Sequence, residues 1–461
     1  MATSTQSVDK KKLSPQLKKV ILSGYLGSSI EYYDFLLYGV IASLGVFSKV
    51  FFVGAGDLGG LLASFATLAV GYIARPIGGM IFGHFGDKMG RKSMLVITMS
   101  LMGGVSVLIG LIPPAEMIGI AAPILLVTLR ILQGIAVGGE WGGAALLALE
   151  HAPKGRRGFA SSIANVGAAT GTLLSTTIVL GVRTIMTDEQ FFAWGWRIPF
   201  LFSALLVAVG LWVRLSVQES PLFKEMMDEA AKNKGEKTRS PLWVVVTKYP
   251  KAVAISAFSS VGAFVYLALM GTFALSMMTK NGVPIQDALM VQAVAAIVHV
   301  VSMPFFGALS DKVGRRAVIL GGSAVGLVFA YPMLYAFSTG DTWLCLVALL
   351  VGNALVHSAI FGPLASFIAE MFGTGNRYSG ASLGYQLGST IGSGFAPLIA
   401  ISILATGDGN NYPMVALFTA GMCLVSIVAT YLAKESKEKD LGQTGKKDSS
   451  EHPAELATAT R

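Results

Sequence analysis

Gly83–Lys92 reads GHFGDKMGRK, and Gly307–Arg316 reads GALSDKVGRR. Glycine, aspartate, lysine, glycine, arginine and a closing basic residue fall in register 224 residues apart. A second pair of motifs follows in the same order. Glu150 precedes Arg157 by seven residues, and Glu370 precedes Arg377 by seven. Ala160, Ser161, Gly167 and Gly171 then match Ala381, Ser382, Gly388 and Gly392 at an offset of 221. Two motifs repeated in order mark a duplicated chain. Each lies at the end of a long apolar run, and duplicated helical halves around a central site are a transporter architecture. A channel or a membrane enzyme has no need of it.

Composition agrees. Of 461 residues, 53% are hydrophobic and 13% charged, against about 25% charged in a soluble domain. So little charge cannot solvate a globule of this size. A soluble enzyme, a disordered protein and a secreted disulfide scaffold are excluded, and a polytopic membrane protein is implied. Cys345 and Cys423 sit in apolar runs and offer no disulfide framework. No P-loop, no Ser–His–Asp set and no metal-spaced cluster is readable, so neither catalysis nor ATP as an energy source is expected.

The apolar runs give twelve spans, near 19–45, 58–83, 93–113, 122–149, 159–182, 197–216, 250–278, 287–309, 317–338, 342–369, 379–405 and 411–433. Each is long enough to cross about 30 Å of hydrocarbon as a helix. The expected organisation is an arm (1–18), a six-helix bundle (19–216), a polar central loop (217–249), a second six-helix bundle (250–433) and a polar tail (434–461) expected to be disordered. Lysine and arginine concentrate in the arm, in alternate loops and in the central loop. The positive-inside rule therefore places both termini and that loop in the cytoplasm. Topology explains the net charge of +9 without a nucleic-acid partner. No cleavable signal peptide is visible, because the first apolar run is too long and follows a polar arm.

GHFGDKMGRK resembles the loop signature of the major facilitator superfamily. SSIEYYDFLLYG (Ser28–Gly39), ARPIGGMIFG (Ala74–Gly83), RILQGIAVGGEWGGAALL (Arg130–Leu147) and RYSGASLGYQLGS (Arg377–Ser389) resemble its metabolite:proton symporter branch. YDFLLYG and TDEQFFAWGWRIPFLFS (Thr187–Ser203) are similar to shikimate transporters in particular. The resemblance covers residues 20–433 and is thinner in the second half. It implies an all-α fold of twelve transmembrane helices in two pseudo-symmetric halves, in a bacterial inner membrane. The tail shows no sustained heptad, unlike osmolyte transporters of the branch that carry a C-terminal coiled coil.

Glu31 and Asp34, three apart, share a helix face in the first span. A carboxylate deep in a bilayer must face a cavity or a partner. Asp34 lies roughly 21 Å along its helix, and Arg130 of the fourth span roughly 12 Å in from the other side. The depths agree, so the two can pair. Related sugar symporters carry an acid and an arginine at matching places, as proton site and modulator. Asp34 is therefore the expected proton carrier, with Arg130 its modulator and Glu31 the alternative carrier. A structural ion pair that never titrates is the plain alternative.

Arg75, about 12 Å into span 2, has a planar fork suited to a substrate carboxylate. A structural partnership with Glu31 or Glu140 has equal standing. Gln133 and Trp141 fall near the Arg130 face and are expected at the substrate, as hydrogen-bond partner and ring cover. Tyr38 follows Asp34 by four and shares its face. In the second half Asn353 and His357 lie four apart, and Tyr385 and Gln386 lie in the branch motif; all four are substrate candidates. His357 also invites a proton-relay reading, against a plain interhelical hydrogen bond; His299 does so less.

Asp87, Arg91, Lys92, Glu150 and Arg157, with Asp311, Arg315, Glu370 and Arg377, are expected to pair across the cytoplasmic face as a gate. Single exposed pairs are worth about 0–1 kcal/mol, so a network is required. The alternative is that they only set topology. Together these readings describe a proton-coupled importer of a small organic acid. Its energy source is the proton gradient, no cofactor is needed, and it is expected to act as a monomer in the lipid bilayer. Shikimate leads; 2-oxoglutarate, citrate or a zwitterionic osmolyte are alternatives within transport, and a non-transporting nutrient sensor is the alternative outside it.

Overall fold

A computed structural model describes residues 15–89, 91–139, 146, 148, 149, 152, 153, 155–216, 241–373, 376–406 and 410–437. Twelve long helices carry the described residues: α1 (Pro15–Ser43), α2 (Gly56–Met89), α3 (Arg91–Leu111), α4 (Ala121–Gly138), α5 (Arg157–Ile185) and α6 (Arg197–Ser216) in the first half. The second half holds α7 (Pro250–Lys280), α8 (Ile285–Val313), α9 (Arg315–Ser338), α10 (Thr342–Ala369), α11 (Arg377–Ala405) and α12 (Tyr412–Leu432). Eleven are long and apolar enough to cross a membrane. The exception, α1, has its hydropathy lowered by Glu31, Asp34 and four tyrosines, Tyr25, Tyr32, Tyr33 and Tyr38. Large apolar side chains such as Val301, Phe305, Val328 and Leu417 point outward, as helices facing lipid require.

Small residues set the packing. Gly71 and Gly78 of α2 meet Gly134 and Ile135 of α4, and a Cβ on Gly78 or Gly134 would run into the facing carbonyl. This small-residue crossing lets the two backbones touch and fixes where Arg75 and Arg130 stand relative to each other. Gly314, between α8 and α9, has φ +108, a backbone state that only glycine adopts freely. That is the physical need for the glycine in GALSDKVGRR.

Within the first half α1 packs on α5 and α6, α2 on α4, and α3 on α6; within the second, α7 packs on α11 and α12, α8 on α10, and α9 on α12. The halves meet along α5 and α8 and along α2 and α11. They touch at both ends. Near the loop motifs Gly158 faces Gly307; at the opposite end Ser43 Oγ donates to the Thr272 carbonyl at 2.7 Å.

Three spans of the second half are interrupted by π-helical turns, at Leu269–Phe273, Gly352–His357 and Thr390–Gly394. Asn353 and His357 both lie within one of these turns, a widened stretch of helix that is frequent at functional sites. Three further differences from the sequence reading stand out. α4 gives way to a turn at Gly139, residues 140–145 and 147 lie outside the described set, and Leu146, Ala148 and Leu149 are again helical, up to the expected 149. The end of the central loop is a helix, Pro241–Lys248, because PLWVVV is apolar enough to lie against the bundle. The tail does not begin as disordered chain: residues 434–437 are described, and Ser436 is buried.

Candidate functional site

The first cluster runs through α1, α3, α4 and α6. Asp34 is fully buried and accepts a hydrogen bond from Ser203 of α6. Ser106 of α3 lies beside the same carboxylate. Gln133 Nε2 donates to Ser106 Oγ at 2.8 Å, and Arg130 Nη1 donates to Gln133 Oε1 at 2.5 Å. Asp34 and Arg130 therefore do not form the direct ion pair expected from their depths. Depth along two antiparallel helices was right, but the azimuth was open, and Gln133 and Ser106 fill the gap. The cost is visible: Asp34 Oδ2 and Arg130 Nε and Nη2 are buried without hydrogen-bond partners. Each such atom costs about 1–3 kcal/mol, so this arrangement is poised to change partners.

The second cluster lies where the halves meet. The Arg75 guanidinium sits 3.9 Å from the Phe35 ring centroid and 4.2 Å from that of Tyr72. Arg130 sits 4.4 Å from the same Phe35 centroid and 4.0 Å from that of Tyr38. Two cations thus share one aromatic ring, a cation–π arrangement that tolerates desolvated arginine. Among the described residues neither arginine forms an ion pair with a carboxylate. Tyr32 Oη meets Tyr385 Oη at 2.5 Å, joining α1 to α11 across the halves. Glu31 and Arg75 both lie close enough to act electrostatically on that pair. Behind Tyr385 stand Phe264, with centroids 4.9 Å apart, and Phe361, at 6.3 Å.

The remaining candidates divide. Tyr38 donates to the Ser64 carbonyl at 3.2 Å and gives its ring to Arg130. Gln386 Nε2 donates to the Gly138 carbonyl at 3.3 Å, tying α11 to α4. Asn353 is buried in the π turn of α10. His357 meets His299 of α8, the interhelical hydrogen bond weighed against a relay. Glu140 and Trp141 lie outside the described residues. Ser106, Ser203, Phe35 and Tyr72 belong to the site and were not singled out in the sequence. Tyr72 is three residues before Arg75, so helical spacing offered a signal for it. Ser203, in a plain apolar run, offered none.

The third cluster closes the end bearing the loop motifs. Asp311 accepts the backbone N–H groups of Gly158 and Phe159, both at 2.9 Å, capping the start of α5 in the other half. A carboxylate at a helix N-terminus meets both unpaired donors and the positive end of the dipole. Arg315 Nη1 holds Asp311 at 2.7 Å, and Nη2 lies 3.6 Å from Glu370. Glu435 of the tail accepts from the N–H groups of Arg315 and Arg316 at 3.1 and 3.0 Å, and Ser436 donates to Glu370 at 2.6 Å. Burial pushes the Glu370 carboxyl above its ordinary value, with Arg315 and Ser436 opposing the shift. Arg157 and Arg377 are buried here as well, each with partners. The side chains of Asp87, Arg91, Lys92 and Glu150 lie outside the described residues.

Two duplicated helical halves, with charge buried at their junction, define a membrane transporter. Residues 20–239 match the family model described as sugar (and other) transporter, and residues 259–459 the one described as major facilitator superfamily. The chain is 40% identical to the shikimate transporter of Escherichia coli K12, over 91% of this chain and 95% of that one. It is 37% identical to the E. coli inner membrane metabolite transport protein YhjE, over 92% and 95%. It is 32% identical to the E. coli proline/betaine transporter, over 92% and 85%. The fold matches the proton:xylose symporter XylE with a TM-score of 0.74, at 17% identity, over 94% of this chain and 98% of that one. The chain belongs to the major facilitator superfamily, in its metabolite:proton symporter branch.

Proposed function

We propose that the protein imports a small organic acid together with protons, and that shikimate is its first substrate. The observation that carries this is the pair of arginines around Phe35, neither in an ion pair with a described carboxylate, of which Arg130 is linked through Gln133 and Ser106 toward buried Asp34. Two buried cations without an ion-pair partner among the described residues favour an anion. Arg75 is the carboxylate clamp, its fork able to hold two oxygens at once. Tyr32, Tyr385 and Gln386 come from both halves, and opening either end frees their hydroxyls and amide for a polyhydroxylated acid. The resemblance to the shikimate transporter of E. coli supports the choice of substrate.

Asp34 carries the proton. Ionised, it holds Ser203 and orders the Ser106–Gln133–Arg130 chain. Protonated, it loses its charge-assisted bonds, which are about twice as strong as neutral ones. The chain then slackens and the halves can rock. The proton gradient is the energy source and no cofactor takes part. Import fits an inside-negative membrane, because co-transported protons offset a substrate charge worth about 2.3 kcal/mol per 100 mV. The excess of lysine and arginine in alternate loops supports cytoplasmic termini, and a monomer is the proposed transporting unit.

The test is uptake of radiolabelled shikimate into sealed proteoliposomes under an inward pH gradient. Accumulation that collapses with the gradient is expected. Binding without accumulation would instead fit a sensor. The likeness to the proline/betaine transporter favours one second reading, symport of a zwitterion. Competition by betaine but not by 2-oxoglutarate or citrate would select it.

A further inference from the structure

One buried titratable pair has no part in that scheme. Nε2 of His299 on α8 lies 2.8 Å from Nδ1 of His357 on α10, with the rings near perpendicular. Both residues are buried. A neutral imidazole has one donor and one acceptor, so complementary tautomers, one facing nitrogen protonated and the other bare, join the rings by one hydrogen bond in either direction. Nε2 of His357 is then left buried without a partner. It is either an unspent N–H or an unspent lone pair, and buried polar atoms seldom stay so.

Among the described residues of the surrounding helices, no charged side chain lies beside the pair. The helices packed on the pair's own α8 and α10 include α5, α7, α9 and α11. Every charged side chain of these six helices lies in a terminal turn: Arg157 and Arg183, Lys251 and Lys280, Asp287, Asp311 and Lys312, Arg315 and Arg316, and Arg377. α10 has none besides His357 itself. The other titratable groups on them are tyrosines, Tyr266, Tyr331, Tyr335, Tyr378 and Tyr385, and Cys345. No carboxylate side chain among the described residues bonds either ring.

The pair is nevertheless one aromatic layer from the central cluster. His357 stacks on Phe361 with centroids 4.8 Å apart. Phe361 stands against Tyr385, which meets Tyr32 beside Glu31 and Arg75. His357 also closes the π turn of α10, a kind of turn common at functional sites.

We propose that His299 and His357 form a second proton-binding site, which takes one shared proton as the substrate carboxylate arrives and uses that carboxylate as its counter-ion. A hydronium ion gives its proton to the bare imidazole nitrogen and leaves as water, the O–H bond breaking as the N–H bond forms, and the pair becomes a single cation. With no described carboxylate bonded to either ring, the incoming anion is what can neutralise it. Proton and anion then enter together, a second coupling step in the half opposite Asp34. This inference rests on the organic-acid reading.

The test labels the full chain with 15N-histidine in lipid nanodiscs, with His84, His151 and His452 replaced by glutamine. The two remaining rings are followed over about pH 5–8, where histidine ordinarily changes charge, with and without shikimate. We expect the rings to titrate as a unit with one proton, and shikimate to move that titration to higher pH. In proteoliposomes, His357→Gln and His299→Gln should each flatten the pH dependence of uptake and lower the proton-to-substrate ratio. A wild type that moves carboxylate while both rings stay neutral would overturn the coupling alone, as would variants with an unchanged ratio. A wild type that moves no carboxylate would overturn the transport reading and this step with it.

Discussion

The charge network at the loop-motif end and the charge cluster at the centre are built from the same residue types, and each keeps a buried arginine nitrogen without a hydrogen-bond partner, yet their aspartates are satisfied to different degrees. Asp311 spends its oxygens on two backbone N–H groups of the other half and on Arg315. Glu435 spends its own on the start of α9. At the centre Asp34 keeps an oxygen unused, and Arg130 keeps two nitrogens unused. A carboxylate satisfied on both oxygens, as Asp311 is, has no reason to change until the helices it caps move, so it acts as a latch. An unsatisfied one gains by changing partners, so it acts as a site.

The sharpest way to break this contrast is Asp34→Asn. Asparagine keeps the size and the hydrogen bond to Ser203 but cannot carry a proton. Gradient-driven accumulation should fall to background, while exchange of substrate across the membrane without a gradient survives. Accumulation against a gradient by the variant would remove Asp34 from the coupling role. Next is Arg75→Lys, which keeps the charge and loses the planar fork. A charge-assisted hydrogen bond is worth about 1.5–3 kcal/mol, so substrate affinity should weaken about 10- to 100-fold. Calorimetry checks this; an unchanged affinity would move the clamp elsewhere.

Asp311→Asn tests the latch. It weakens two charge-assisted caps and one ion pair, and should raise reaction of an introduced Ser162→Cys with a membrane-impermeant thiol reagent about tenfold, for about 1.4 kcal/mol. Unaltered labelling would mean that the network only sets topology. The smallest effect concerns Glu370. Its carboxyl is raised by burial, so the closed end binds a proton more readily than an opened, hydrated end does. The closed state therefore gains as pH falls through the raised value. The gain levels off below the ordinary glutamate value and is lost again as pH rises. Glu370→Gln should flatten this pH dependence of labelling; a profile identical to wild type would assign it to another group.

Much of this was legible before any coordinates. Asp87 and Asp311 announced the duplication through their spacing, and the intramembrane charges Glu31, Asp34, Arg75 and Arg130 announced the site through their cost. Less legible was whom each charge meets. Asp34 bonds Ser203, from an apolar run that gave no warning, and Gln386 closes a helix contact here where a substrate contact was expected. The π turn that carries His357 is likewise invisible, since a one-residue widening leaves no compositional trace.

By itself the chain's sequence determined the number of helices, their duplication, the membrane as solvent and the list of buried charges. These follow from hydropathy and from the energy of burying an ion, which depend on residue type and order along one dimension. Tertiary structure alone decided that Arg75 and Arg130 share Phe35, that Gln133 and Ser106 stand between Asp34 and Arg130, and that the tail's Glu435 caps α9. Those pairings depend on the rotation of each helix about its axis. Rotation is set by which small residues let two backbones touch, and that is settled only when all the helices pack at once.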